Sequence, residues 1–158
     1  MRITASVVTY KTDRNELIAI LDTLAASGIE RIYVIDNSPT DALSNVIDSH
    51  PQALLIEYTP RHDNPGYGAA HNIALRKAID SSVDYHLVVN SDIMFDRDVI
   101  GKIARFMETH PDVGQLQPRI INPDGTEQYT ARLLPTPFDV FGRRFLPSAF
   151  TGNLNRRY

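Results

Sequence analysis

Three short polar clusters in this 158-residue chain carry side chains suited to binding chemistry: Thr9-Tyr10, Asp36-Asn37-Ser38 and Asn90-Ser91-Asp92. Each directly follows an apolar run, and a fourth stretch, Asn64-Pro65-Gly66-Tyr67-Gly68, leads into a segment that contains Asn72. Asp36 is an acceptor suited to a base N–H or to ribose hydroxyls. Asp92, with Asn90 beside it, offers hard oxygen ligands of the kind that hold Mg²⁺ or Mn²⁺. A cation held there would bridge a diphosphate and offset negative charge on a leaving group. Gly66 and Gly68 lack Cβ atoms, so backbone at these positions can approach a ligand closely. Each cluster also has a plainer explanation. Asn, Ser and Asp turn chains and cap helices, glycine beside proline marks a turn, and Asn72 alone reads as a solvated helix residue.

The elements that would position these clusters alternate between strand and helix. Ile3 to Tyr10 is β-branched and apolar and reads as a first strand; Asp13 and Glu16 resemble a capping box, followed by Leu17, Ile18, Leu21 and Leu24 at helical spacing until Gly28. Ile32 to Ile35 reads as a second strand, Thr40 as the cap of a short helix with Leu43, Val46 and Ile47, and Ala53 to Tyr58 as a third strand. A helix carrying Ala70, Ile73, Ala74, Leu75 and Ala78 leads to a strand from Tyr85, whose apolar run predicts burial on both faces. A helix from about Arg97 to His110 follows, with Val99, Ile103, Phe106 and Met107 on one face. Val113 to Ile121 and Glu127 to Leu134 read as strands joined by the turn Asn122-Pro123-Asp124-Gly125. The alternation predicts right-handed crossovers and a mostly parallel sheet, mixed near its C-terminal end. Such a sheet delivers its strand tips to one rim, where open α/β sheets bind ligands.

Bulk properties limit the alternatives. An apolar content of 42% supports a core for one globular unit, and a net charge of −3 argues against a broad nucleic-acid face. The absence of cysteine excludes thiol nucleophiles and thiolate metal sites, and is compatible with a cytoplasmic protein. No apolar run approaches bilayer-spanning length. His50 and His110 read as helix-end residues and His86 as a core histidine, while His62 and His71 flank the glycine loop and could touch a substrate. Phe138, Phe141, Phe145 and Phe150 gather in the last segment beside Arg143 and Arg144. That tail suits a helix packed on the core, a homodimer surface through residues 138–158, or peripheral contact with the inner face of a membrane.

Taken in order, five segments resemble the family 2 glycosyltransferases, particularly the rhamnosyltransferase-like bacterial members that build cell-surface polysaccharides. They are Val7-Val8-Thr9-Tyr10, Val34-Ile35-Asp36-Asn37-Ser38, Asn64-Pro65-Gly66-Tyr67-Gly68-Ala69-Ala70-His71-Asn72, Leu87-Val88-Val89-Asn90-Ser91-Asp92 and Pro118-Arg119-Ile120-Ile121-Asn122-Pro123-Asp124-Gly125. The resemblance implies a Rossmann-like α/β fold of the GT-A type, with residues 1–137 binding a dTDP- or UDP-linked nucleotide sugar. It places Thr9, Tyr10 and Asp36 on the nucleoside, and Asn64, Gly66, Gly68 and Asn72 along the donor site. The family's metal-binding Asp-x-Asp element is represented by Asn90-Ser91-Asp92, so Asp92 becomes the expected protein ligand to Mg²⁺ or Mn²⁺. The acceptor would be a saccharide or lipid-linked sugar. No segment matches the family's later acidic motif, so the catalytic base is expected beyond Tyr158. Two other readings stay open: a sugar-nucleotide-binding or assembly module without catalysis, and a nucleotidyltransferase. The latter usually carries a glycine-rich loop where this chain has Thr9-Tyr10-Lys11-Thr12.

Overall fold

The β-branched run at the N-terminus becomes strand β1 (Ile3–Thr9), which has parallel neighbours on both sides. One is β2 (Arg31–Asp36), itself paired in parallel with β3 (Ile56–Pro60); the other is β4 (Tyr85–Asn90). The order β3-β2-β1-β4 is that of a parallel α/β sheet, as the alternation predicts. The computed structural model describes residues 1–128 and divides the chain into two compact units, Met1–Pro111 and Asp112–Tyr158.

Strand pleating sends alternate side chains to opposite faces of the sheet in the first unit. Ala5, Val7, Ile32, Val34 and Val89 pack with α1 (Arg14–Ala26) through Leu17, Ile20, Leu21 and Leu24, and with Val46 and Ile47 of α2 (Ser44–Asp48). Ile100 and Ala104 of α4 (Val99–Thr109) join the same cluster. On the other face, Tyr33 and Ile35 meet Ala70 and Ala74 of α3 (Tyr67–Asp80). Burying each leucine of α1 contributes about 1.5–3 kcal/mol, so this amphipathic helix is a main source of the sheet's stability.

Several local boundaries differ from those expected. Thr40 does not cap α2: Leu43 is buried in the core, and its carbonyl accepts from Val46 and Ile47, so the helix starts at Ser44. Ala53–Leu55 forms a 3₁₀ turn, with its amides at Ala53 and Leu55 bonded back to His50 and Gln52, and the strand begins at Ile56. Strand β4 lies at the edge of the described sheet, and Val88 is 50% exposed, so this run is not covered on both faces. The most buried residues of α4 are Ile100 and Ala104, a pair four apart, whereas Phe106 is exposed and stacks on His110 at 4.0 Å. Small Ala104 suits close packing; the large residues flank that line.

Within the second unit, β5 (Ile120–Ile121) and β6 (Glu127–Gln128) form a separate antiparallel pair. The run from Val113 pairs only at its end, since Gln115, Gln117 and Pro118 interrupt its apolar pattern and proline cannot donate to a ladder. The Asn-Pro-Asp-Gly turn does close as expected. Gly125 takes φ +83°, Asn122 N–H donates to Thr126 O at 2.8 Å, and Asp124 Oδ1 accepts from Thr126 N–H at 2.9 Å. Residues 129–134 of the expected strand and the aromatic-basic segment 138–158 lie outside the described residues. No helix among the described residues is long and apolar enough to cross a membrane.

Candidate functional site

Adjacency of β1 and β4 sets the site. Their parallel register pairs Val8 with Asn90, so the two polar tips leave the sheet side by side. Between them lies an open groove of about 410 Å³, lined by Val8, Tyr10, Lys11, Thr12, Asp13, Glu16, Asn90, Ser91 and Asp92. Lys11 turns the chain at φ 52°, a left-handed conformation that costs a residue with a Cβ on the order of 1–2 kcal/mol. Its amide donates to Ser38 Oγ at 2.8 Å, which ties the β1 tip to the β2 tip. Its ammonium sits 5.3 Å from the centroid of the Tyr10 ring.

Asp13 caps α1 as expected, its Oδ1 accepting from Asn15 N–H at 2.8 Å. The reciprocal half of a capping box is replaced by a longer reach: Glu16 Oε1 accepts from Ser91 Oγ, so the first turn of α1 is pinned to the β4 tip. Asp92 stands exposed on the groove. Among the described residues no group of three or more histidine, aspartate or glutamate side chains is placed to hold a metal ion. The groove therefore offers no all-protein cage. Its carboxylates fit the other way of binding Mg²⁺, with one or two protein carboxylates and the balance from phosphate and water.

Behind the groove, β1 pairs with β2 so that Thr9 lies opposite Asp36. Asp36 is 1% exposed, and both of its oxygens are engaged. Oδ1 accepts from Thr9 Oγ1 at 2.9 Å and from Ser38 N–H at 3.0 Å; Oδ2 accepts from the Tyr58 hydroxyl at 2.7 Å. Burial, then the bond to Asp36 and the charges of Asp36 and Asp41, push the Tyr58 phenol well above its ordinary range. Thr9 and Asp36 thus brace the rim from inside, while Tyr10, Asn90 and Asp92 face the groove.

The glycine loop meets the site through a residue that sequence reasoning passed over. Asn64 (φ 42°) and Gly66 (φ 88°) bend the chain through left-handed conformations into α3. Tyr67 then donates its hydroxyl to Asn90 Oδ1 at 2.6 Å. Its ring meets His71 edge-on at 4.4 Å. Burial, then the nearby charge of Asp92, raise the Tyr67 pKa. Asn64, Gly66, Gly68 and Asn72 do not line the described groove; Asn72 is exposed one turn into α3. Tyr58, Glu16 and Lys11 were likewise missed, because their partners lie on other elements.

His71 lies beneath this layer, 3% exposed, with Nδ1 2.8 Å from Ser6 Oγ; His86 Nε2 is 2.8 Å from the same oxygen and its Nδ1 2.8 Å from Thr4 Oγ1. Burial lowers the pKa of both to about 4, helped at His86 by the proximity of His71. His86 is a hydrogen-bonded histidine under the sheet surface, as its strand position suggested, and His71 is turned inward. His62 is exposed and paired with Asp41 at 2.7 Å.

A parallel α/β sheet with a polar, carboxylate-bearing groove at its carboxyl edge has the architecture of an open α/β fold, whose ligands bind at that edge. The chain belongs to glycosyl transferase family 2, whose sequence model matches residues 4–156, and its fold is the GT-A fold expected of that family. Two solved structures of S. aureus TarS resemble it, each with a TM-score of 0.55 over 70% of this chain. One is 24% identical, with 20% of its own length covered; the other, TarS 1-349, is 23% identical with 33% covered. This chain therefore spans a third or less of those proteins. No curated protein matches it.

Proposed function

We propose that the chain is the donor-binding part of a glycosyltransferase that moves a hexosyl or rhamnosyl group from a dTDP- or UDP-linked sugar to a saccharide or lipid-linked acceptor, in cell-surface polysaccharide synthesis on the cytoplasmic side of the membrane. The observation that carries this reading is the groove between the β1 and β4 tips, where Tyr10, Lys11, Asn90 and Asp92 converge in a family 2 chain.

In this reading Tyr10 offers its exposed ring to the nucleoside, and Lys11 supplies positive charge for phosphate. Asp36 keeps its role at the nucleoside end by fixing Thr9 and Ser38, the residues flanking the rim. Asn64, Gly66, Gly68 and Asn72 belong to the far side of the donor site, joined to it through Tyr67. Asp92 would hold Mg²⁺ or Mn²⁺ against the diphosphate. When bound, that cation supplies charge stabilisation to the departing nucleoside diphosphate.

Titration calorimetry with UDP, dTDP and GDP, with and without Mn²⁺, tests the proposal. Binding of at least one nucleotide below millimolar concentration is expected, tightened by Mn²⁺. Absence of heat for all three at millimolar concentration, with and without the metal, would sink it.

A further inference from the structure

Asn90 stands where the resemblance expects the first carboxylate of a metal-binding pair, and its hydrogen bond decides what it can do. A carboxamide has one acceptor atom and one donor atom. Oδ1 has two lone pairs, and one of them accepts from the Tyr67 hydroxyl at 2.6 Å, which sets a phenol proton against the one atom of the amide that a cation can use. The NH₂ group makes no hydrogen bond among the described residues, and it belongs to an exposed residue that lines the groove. A divalent cation needs oxygen lone pairs and would find here only the second lone pair of a neutral oxygen that already accepts a phenol proton, whereas the NH₂ group offers its N–H donors to an anion. Tyr67 is held in turn by its edge-on contact with buried His71, which is bonded to Ser6 of β1. Since the Tyr67 pKa is raised, the phenol keeps its proton and remains the donor of this pair.

The groove's charges favour the same assignment. Asp13, Glu16 and Asp92 line it together with a single lysine, Lys11. An aspartate at position 90 would add a fourth carboxylate against any polyanion, whereas an amide adds two N–H donors without charge. We propose that Asn90 is a direct hydrogen-bond donor to a diphosphate oxygen, held in that orientation by Tyr67 as a positioning residue, and that it takes no part in metal binding. The inference rests on the donor-site reading above and adds a metal-independent component to nucleotide affinity.

Calorimetry with UDP in EDTA and in Mn²⁺ separates the roles, applied to the full chain and to Asn90→Ala, Tyr67→Phe, Asp92→Asn and the Asn90→Ala/Tyr67→Phe double variant. Asn90→Ala should raise Kd about tenfold in both conditions, the loss of one hydrogen bond to a charged group. The ratio of Kd in EDTA to Kd in Mn²⁺ stays as in the parent chain. Tyr67→Phe should weaken binding about threefold in the parent chain but add nothing once Asn90 is alanine, because it acts only through that amide. Asp92→Asn, by contrast, should collapse the ratio towards one. The proposal is overturned if Asn90→Ala collapses the ratio as Asp92→Asn does, if it leaves Kd in EDTA unchanged, or if the Tyr67 effect persists in the double variant. Failure of the parent chain to bind any nucleotide would instead remove the donor-site reading, and this inference with it.

Discussion

The Tyr58 hydroxyl donates to Asp36 Oδ2 at 2.7 Å, joining the ends of two neighbouring strands at an aspartate whose other oxygen is already held by Thr9 and Ser38. Parallel register explains the contact: Val34 pairs with Tyr58 and Asp36 with Pro60, so the tyrosine lies one pleat below the carboxylate on the adjacent strand. Asp36→Ala would leave the Thr9 hydroxyl and the Ser38 amide without their acceptor in a buried site. A loss of about 2–4 kcal/mol is expected, roughly 1–3 for each stranded group less partial relaxation. Urea unfolding followed by far-UV circular dichroism measures it; a loss under 1 kcal/mol would contradict the bracing role.

Tyr58→Phe provides the complementary case. Removing the phenol frees one lone-pair site of Asp36 and costs about 1 kcal/mol for the hydrogen bond. If Asp36 also accepts from a nucleobase N–H, this variant should bind uracil or thymine nucleotides at least as tightly as the parent, despite its lower stability. Competition between UDP and CDP, which differ at that N–H, reads the effect directly. Equal weakening of both would confine Asp36 to a structural part.

His71 and His86 predict a pH dependence with a definite sign. Each has a folded-state pKa near 4, against about 6.5 for a free histidine, so the unfolded chain binds more protons between those values. Their contribution to stability is complete above about pH 6.5 and is lost as the pH falls towards 4. The melting temperature should therefore drop across that window, and His71→Gln/His86→Gln should flatten the slope there. An unchanged slope would mean that other groups govern acid unfolding.

The strands and helices were legible because their signals are local. β-branched runs gave β1 and β2, and Leu17, Leu21 and Leu24 gave α1 with Asp13 as its cap. Errors arose where tertiary packing overrode a local cue. Burial of Leu43 displaced Thr40 as a cap, and close packing at Ala104 drew α4 onto a line that side-chain size does not reveal. The rim was legible as a set of tips, and Tyr10, Asn90 and Asp92 do meet. What stayed hidden were cross-element bonds: Glu16 to Ser91, Tyr58 to Asp36, Tyr67 to Asn90. These depend on strand order and register, and no short window of sequence contains both partners.

Gly66 and Gly68 should separate under alanine substitution. Gly66 has φ +88°, so Gly66→Ala is expected to cost about 1–2 kcal/mol through backbone strain although nothing lies within 4 Å of the added Cβ. Gly68 is helical and equally open, and Gly68→Ala should gain up to about 1 kcal/mol of helix stability. Thermal unfolding of the two variants checks the opposed signs. If Gly68→Ala also weakens UDP binding, a ligand approaches its backbone; if binding is unchanged, that glycine lies away from the donor.

Asp92 carries the sharpest expectation about metal removal. It is the exposed carboxylate at the β4 tip, and among the described residues no group of three or more histidine, aspartate or glutamate side chains is placed to hold a cation without a phosphate ligand. Mn²⁺ alone should therefore bind weakly to the chain and more tightly once UDP is present, since phosphate supplies the missing oxygens. By linkage the nucleotide tightens by the same factor when metal is added. Electron paramagnetic resonance of free Mn²⁺, titrated with and without UDP, measures that factor, and adding EDTA should release the metal and raise the UDP Kd together. Asp92→Asn should reduce the coupling at least tenfold, about 1.4 kcal/mol. Undiminished coupling in that variant would move the cation away from the β4 tip.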